Sequence, residues 1–119
     1  MDNTQIIKAA VKALSDKKAV DIFAVEVADL TIAADAFVMA GGTSSTHVRA
    51  LADEVEYQLS QLGLEPHHVE GKGSGWILLD YVGVVVHVFS KQAREFYSLE
   101  HLWADGKQID LTEIIGAEE

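Results

Sequence analysis

The chain has 119 residues and a mass of 12.9 kDa, which fits one domain around one hydrophobic core and leaves no room for a second. With 49% apolar and 24% charged residues, nine Gly and one Pro, a disordered, collagenous or low-complexity chain is excluded. Nine Lys and Arg against nineteen Asp and Glu give a net charge of −10; this argues for little direct nucleic-acid contact and suits either a basic protein partner or an acidic surface kept for solubility.

Ile6, Ile7, Ala10, Val11 and Leu14 fall at helical spacing and predict a first helix over 4–15, with Asp2 to Thr4 as cap candidates. The β-branched run 19–27 predicts a strand, and 36–40 a second one. Gly41-Gly42-Thr43-Ser44-Ser45 then breaks the pattern, and Val48, Leu51, Ala52, Val55, Leu59 and Leu62 trace the stripe of a long helix that stops at Gly63. Residues 65–70 read as a short extended piece, 71–75 as a flexible loop, and 76–81 with 84–89 as a β-hairpin around Val82-Gly83. A last helix is expected over about 91–103. The whole predicts an α/β (α+β) single domain: a mixed sheet of about five strands flanked by helices. Residues 1–104 form the domain, and 105–119 an acidic, partly ordered tail.

No cysteine is present, so disulfides, a thiol nucleophile and a Cys-type zinc site are excluded. The start Met1-Asp2-Asn3-Thr4 lacks the order of a signal peptide, and no apolar run approaches the roughly 20 residues of a membrane helix. A cytoplasmic protein without membrane contact is expected.

The turn at 41–45 sits where a strand end and a helix start could hold a phosphate. It lacks the Lys of a P-loop, and a nucleotidyl transferase would also need an acid pair on a later strand, where Asp80 stands alone. His47, His67, His68, His87 and His101 show no metal-ligand spacing, and Ser44 and Ser45 have no converging base and acid. Neither a cofactor nor a metal is expected, and catalysis is not.

The hairpin offers more. A two-residue turn puts Ile77, Leu79, Tyr81, Val84, Val86 and Val88 on one aliphatic face, which is core. The other face, Trp76, Leu78, Asp80, Val85, His87 and Phe89, mixes aromatic and polar groups as docking surfaces do. A covered face, with Asp80 and His87 satisfying each other across the hairpin, is the competing reading, and a bulge at the turn would undo the assignment.

Taken in order, several blocks form a joint pattern: Ala34-Asp35 before Phe37-Val38-Met39-Ala40, Gly42-Thr43-Ser44-Ser45, His47-Val48, Ala52-Asp53-Glu54-Val55, Glu70-Gly71, Trp76-Ile77-Leu78-Leu79-Asp80-Tyr81, Val85-Val86-His87-Val88-Phe89, Arg94-Glu95-Phe96-Tyr97 and Leu99-Glu100-His101-Leu102-Trp103. From about Asp21 to Trp103 it resembles the ribosomal silencing factor family RsfS, also called Iojap. The resemblance implies a nucleotidyltransferase-like fold without catalysis. It further implies a cytosolic bacterial protein that binds the large ribosomal subunit through ribosomal protein number fourteen, blocks joining of the small subunit and represses translation under nutrient limitation. Thr46, Val82-Gly83 and Ala36 depart from the residues common in the family. On this footing Glu70, Trp76, Asp80, Tyr97 and Glu100 are the candidate partner contacts, with Trp76 and Tyr97 as anchors and the acids meeting Lys or Arg. The alternatives are a nucleotide-binding or nucleotidyltransferase-like enzyme using Gly41 to Ser45, and a homodimer formed through the same hairpin face.

Overall fold

The computed structural model describes residues 2–29, 32, 34–71, 75–93, 107–109 and 111. Helix α1 (Asn3–Asp16) opens on a capping box: Asp2 Oδ1 accepts from the Gln5 amide at 2.9 Å, and Gln5 Oε1 accepts from the Asp2 amide at 3.0 Å. Two of the orphan donors at the helix start are thereby satisfied. Strands β1 (Val20–Glu26) and β2 (Ala36–Gly42) follow, then helix α2 (Ser45–Gln61), whose first turn is capped by Ser44. Gly63, at φ +88°, ends α2 by letting its own amide reach Ser60 O and that of Leu64 reach Leu59 O; only a residue without a Cβ takes this left-handed step at no steric cost. Leu62, expected on the buried stripe, is 57% exposed because the stripe ends at Leu59.

Strands β3 (His68–Glu70), β4 (Trp76–Asp80), β5 (Val84–Ser90) and β6 (Lys107–Ile109) complete a sheet whose order is β3-β4-β5-β2-β1-β6. β2 and β5 pair in parallel; every other neighbour is antiparallel. The two parallel strands lie at the centre because their sequences are apolar nearly throughout, and β2 is buried along its whole length. Both helices cover one face, where Val38, Ala40, Ile77, Leu79, Val86 and Val88 meet the stripes of α1 and α2. Each such buried Val, Leu or Ile side chain contributes about 1.5–3 kcal/mol.

Within the stretch expected to be a partly ordered tail, Lys107–Ile109 pairs with β1 as an edge strand, and Ile109 and Leu111 pack on the main core, so the described sheet has one strand more than the about five expected. Three residues amid acids gave no period to read, and only the partner strand makes them extended. The helix expected over 91–103 lies outside the described residues beyond position 93, as does the middle of the 71–75 loop.

The hairpin has the expected two-residue turn and no bulge: Trp76 pairs with Phe89, and the ladder runs unbroken to Asp80 opposite Val85. The turn is tight, with the Gly83 amide donating to Tyr81 O at 3.0 Å and Asp80 Oδ1 accepting from the Val82 amide at 2.7 Å. The Asn3 side chain lies where a Cβ at position 83 would be, and the Gly83 carbonyl accepts from the Asp35 and Ala36 amides, so the turn fits against the start of α1 and anchors that of β2. Val82 adopts φ +74°, a left-handed conformation that a β-branched residue takes only under strain. Val82→Gly is therefore expected to stabilise the fold by about 1 kcal/mol net of glycine's extra unfolded-state entropy, read as a higher denaturant midpoint with an unchanged slope.

Candidate partner-docking site

The sheet face opposite the helices is graded. Register places Phe23, Met39, His87, Leu78 and Glu70 in one cross-strand row, and Val25, Phe37, Val85, Asp80 and His68 in the next. Apart from His87, each row is apolar on β1, β2 and β5 and becomes polar towards the β4–β3 edge. Val25, Val27, Ala34, Phe37, Met39, Val85 and Phe89 form a second core cluster, against which Trp76 and Leu78 pack half-buried.

This overturns part of the hairpin expectation. Val85, His87 and Phe89 are 6%, 4% and 0% exposed, so the β5 half of that face is core, and in the hairpin the outward side chains are those of β4. The competing idea that Asp80 and His87 satisfy each other fails as well, since register sets Asp80 opposite Val85 and His87 opposite Leu78. The aromatic composition of the face was legible; which half lay buried was not, because two-sided burial leaves no alternation to read.

His87 organises what remains exposed. Its Nδ1 accepts the Trp76 indole N–H at 3.2 Å, and its ring meets Phe37 edge-on at a centroid distance of 4.8 Å. Burial disfavours the charged imidazolium and lowers the pKa to about 4. The ring is therefore neutral near pH 7 with its proton on Nε2, which keeps Nδ1 an acceptor for Trp76. A buried, neutral histidine thus fixes the orientation of a half-buried tryptophan. Nothing in the sequence pattern singled out His87 for this role.

Of the five candidate contacts, three come together. Glu70, Trp76 and Asp80 share this face on adjacent strands with Leu78 between them, while Tyr97 and Glu100 lie outside the described residues. The Glu70 carboxylate is held by His68 Nε2 at 2.5 Å, both side chains being exposed. Asp80 also serves the turn through the Val82 amide. The arrangement is a strip with an indole, a leucine and two carboxylates.

The turn at 41–45 is built differently. Thr43 N donates to His47 Nδ1 at 2.9 Å, His47 Nε2 donates to Lys17 O at 2.8 Å, and the His47 and Val48 amides go to Ser44. Gly42 lies so close to Val48 that a Cβ would meet its backbone nitrogen at 2.9 Å. Two donors that could greet a phosphate, the Thr43 and His47 amides, are thus spent closing the turn, which disfavours the nucleotide-binding alternative. Among the described residues no three His, Asp or Glu side chains converge as metal ligands, and no helix is long and apolar enough to cross a membrane.

The described residues form a mixed sheet with both helices on one face and a strip of Trp76, Leu78, Asp80 and Glu70 on the other. Comparison with known proteins gives the family: residues 1–119 match the one described as "Ribosomal silencing factor during starvation", and the chain belongs to it. It is 38% identical over 112 residues to the ribosomal silencing factor RsfS of Bacillus subtilis, covering 93% of this chain and 95% of that one. A crystal structure of a Chromobacterium violaceum protein superposes with a TM-score of 0.83 at 35% identity, covering 87% of this chain and 88% of that chain. The mouse "Mitochondrial assembly of ribosomal large subunit protein 1" is 31% identical over 101 residues, 82% of this chain and 44% of the mouse protein. The family is by name one of ribosomal silencing factors. Its match extends over the tail that the resemblance left out.

Proposed function

We propose that this protein docks on the large ribosomal subunit through ribosomal protein number fourteen and prevents the small subunit from joining by occupying space, so that translation falls when nutrients are scarce. The observation that carries the reading is the strip on β3 and β4, where Glu70, Trp76 and Asp80 face outward together. Its carboxylates and the net charge of −10 complement a basic ribosomal surface. Family membership and the name of the mouse relative support the large subunit as the target. Tyr97 and Glu100 extend the same contact in this proposal. The setting is the cytoplasm, and the mechanism needs an interface but no substrate, cofactor or metal, so inhibition is stoichiometric.

Sedimentation of purified subunits at fixed magnesium, with and without excess protein, tests this. The protein should travel with large subunits while the joined-ribosome peak falls in proportion to dose. Protein left at the top of the gradient with joining unaffected would remove the proposal.

A further inference from the structure

At the tip of the β4–β5 hairpin the chain accepts strain to hold out a side chain that the fold hardly uses. The Gly83 amide donates to Tyr81 O at 3.0 Å, and Val82 between them has φ +74°. Together these make a γ-turn of the rare, strained kind, centred on Val82. A β-branched residue is the least suited to that backbone, whereas glycine or asparagine adopts it readily. Yet Val82 is 63% exposed and packs in neither core cluster of the described residues, so its isopropyl group adds little to folding that would offset the strain.

The turn also holds that group still. Asp80 Oδ1 accepts from the Val82 amide at 2.7 Å, the Tyr81 amide donates to Val84 O at 2.9 Å, and the Gly83 carbonyl accepts from the Asp35 and Ala36 amides. Asp80 belongs to the strip described above, so a strip carboxylate itself fixes the backbone of Val82. An apolar side chain on a rigid turn loses little freedom when a partner covers it, which favours contact. Strain without a return in packing, kept at an exposed and immobilised tip, points to a use outside the fold.

We propose that Val82 is a docking contact that extends the Glu70–Trp76–Asp80 strip around the hairpin tip, its isopropyl group entering an apolar recess bordered by Lys or Arg on the same protein partner. The border is basic because Asp80 and the exposed Asp35 both bond to this turn. The inference rests on the reading of that strip as a docking surface.

The test measures stability and binding together, by denaturant unfolding and by titration of the labelled whole protein with purified large ribosomal subunits, for the parent, Val82→Gly, Val82→Asn and Val82→Ile. The Gly and Asn variants should raise the denaturant midpoint and still weaken binding roughly tenfold, opposite signs that a merely structural residue does not give. Val82→Ile keeps the branched side chain and should bind as the parent does. Because the lost contact is apolar, the weakening should be the same at low and high salt, whereas the weakening caused by Asp80→Asn should fade as salt rises. Gly and Asn variants that bind as tightly as the parent, or a loss that disappears at high salt, would overturn the proposal and leave the strip in place. Variants less stable than the parent would show that folding needs the valine, and the proposal falls likewise. A parent that does not bind large subunits at all would remove the docking reading and this proposal with it, so the two failures are distinct.

Discussion

Thermal stability should fall steeply as pH drops from about 6.5 to about 4, and substitution of His87 by leucine should remove most of that slope. The imidazole has its ordinary pKa of 6.5 when unfolded and one of about 4 when folded, because burial penalises its charged form. Between those values the unfolded chain binds a proton that the native ring refuses, and linkage then makes stability rise with pH. The contribution is intact above the unfolded value and is lost progressively down to the folded one. A gap of 6.5 − 4 = 2.5 units corresponds to a loss on the order of 3 kcal/mol. The diagnostic quantity is the difference between parent and His87→Leu at each pH. A difference that stays constant from pH 7 to pH 4 would show that His87 is protonated in the native state and does not set acid stability. Near the lower value the Trp76 indole should also lose its acceptor, so its fluorescence should change before unfolding is complete.

That role for His87 marks where sequence reasoning ran out. Both long helices and the hairpin were legible because their apolar residues repeat with a clear period and their ends carry Asp2, Ser44 and Gly63. Once the two-residue turn was assumed, the hairpin register followed, and with it the aliphatic face that α1 and α2 cover. The rest depended on partners distant in sequence. β6 exists because β1 offers an edge, and nothing local to Lys107–Ile109 makes it a strand. Likewise Phe89, read as a surface aromatic, is buried with Phe37 and Met39 because β2 pairs with β5 in parallel, a contact set by a crossover of more than forty residues between Gly42 and Val84. His47 was seen only as one of several histidines, yet it closes the turn at 41–45 by bridging Thr43 to Lys17 O, thirty positions from its own. Residue type and strand face single out Glu70, Trp76 and Asp80 in the sequence, and register unites them on one surface.

Trp76→Ala should weaken binding to ribosomal protein number fourteen by about 2 kcal/mol or more, roughly thirtyfold in Kd, if the indole anchors the proposed contact. The same substitution removes a half-buried ring from the second core cluster and deprives His87 Nδ1 of its donor, so a stability loss on the order of 2 kcal/mol accompanies it. A domain of this size has a margin of about 5–15 kcal/mol and should remain folded. Trp76→Phe separates the two effects. It keeps an apolar ring over Leu78 and Phe89 but loses the N–H, so it should retain most of the stability and recover only part of the affinity. Calorimetric titration of each folded variant with the purified ribosomal protein reads both. Unchanged affinity in Trp76→Ala would take the indole out of the contact and move the anchor elsewhere on the strip. Full recovery in Trp76→Phe would show that the ring alone binds and that its tether to His87 serves only the fold. If Trp76→Ala melts below working temperature, the indole is core, and docking must then be carried by the charged edge at Glu70 and Asp80, whose binding would be lost at high salt.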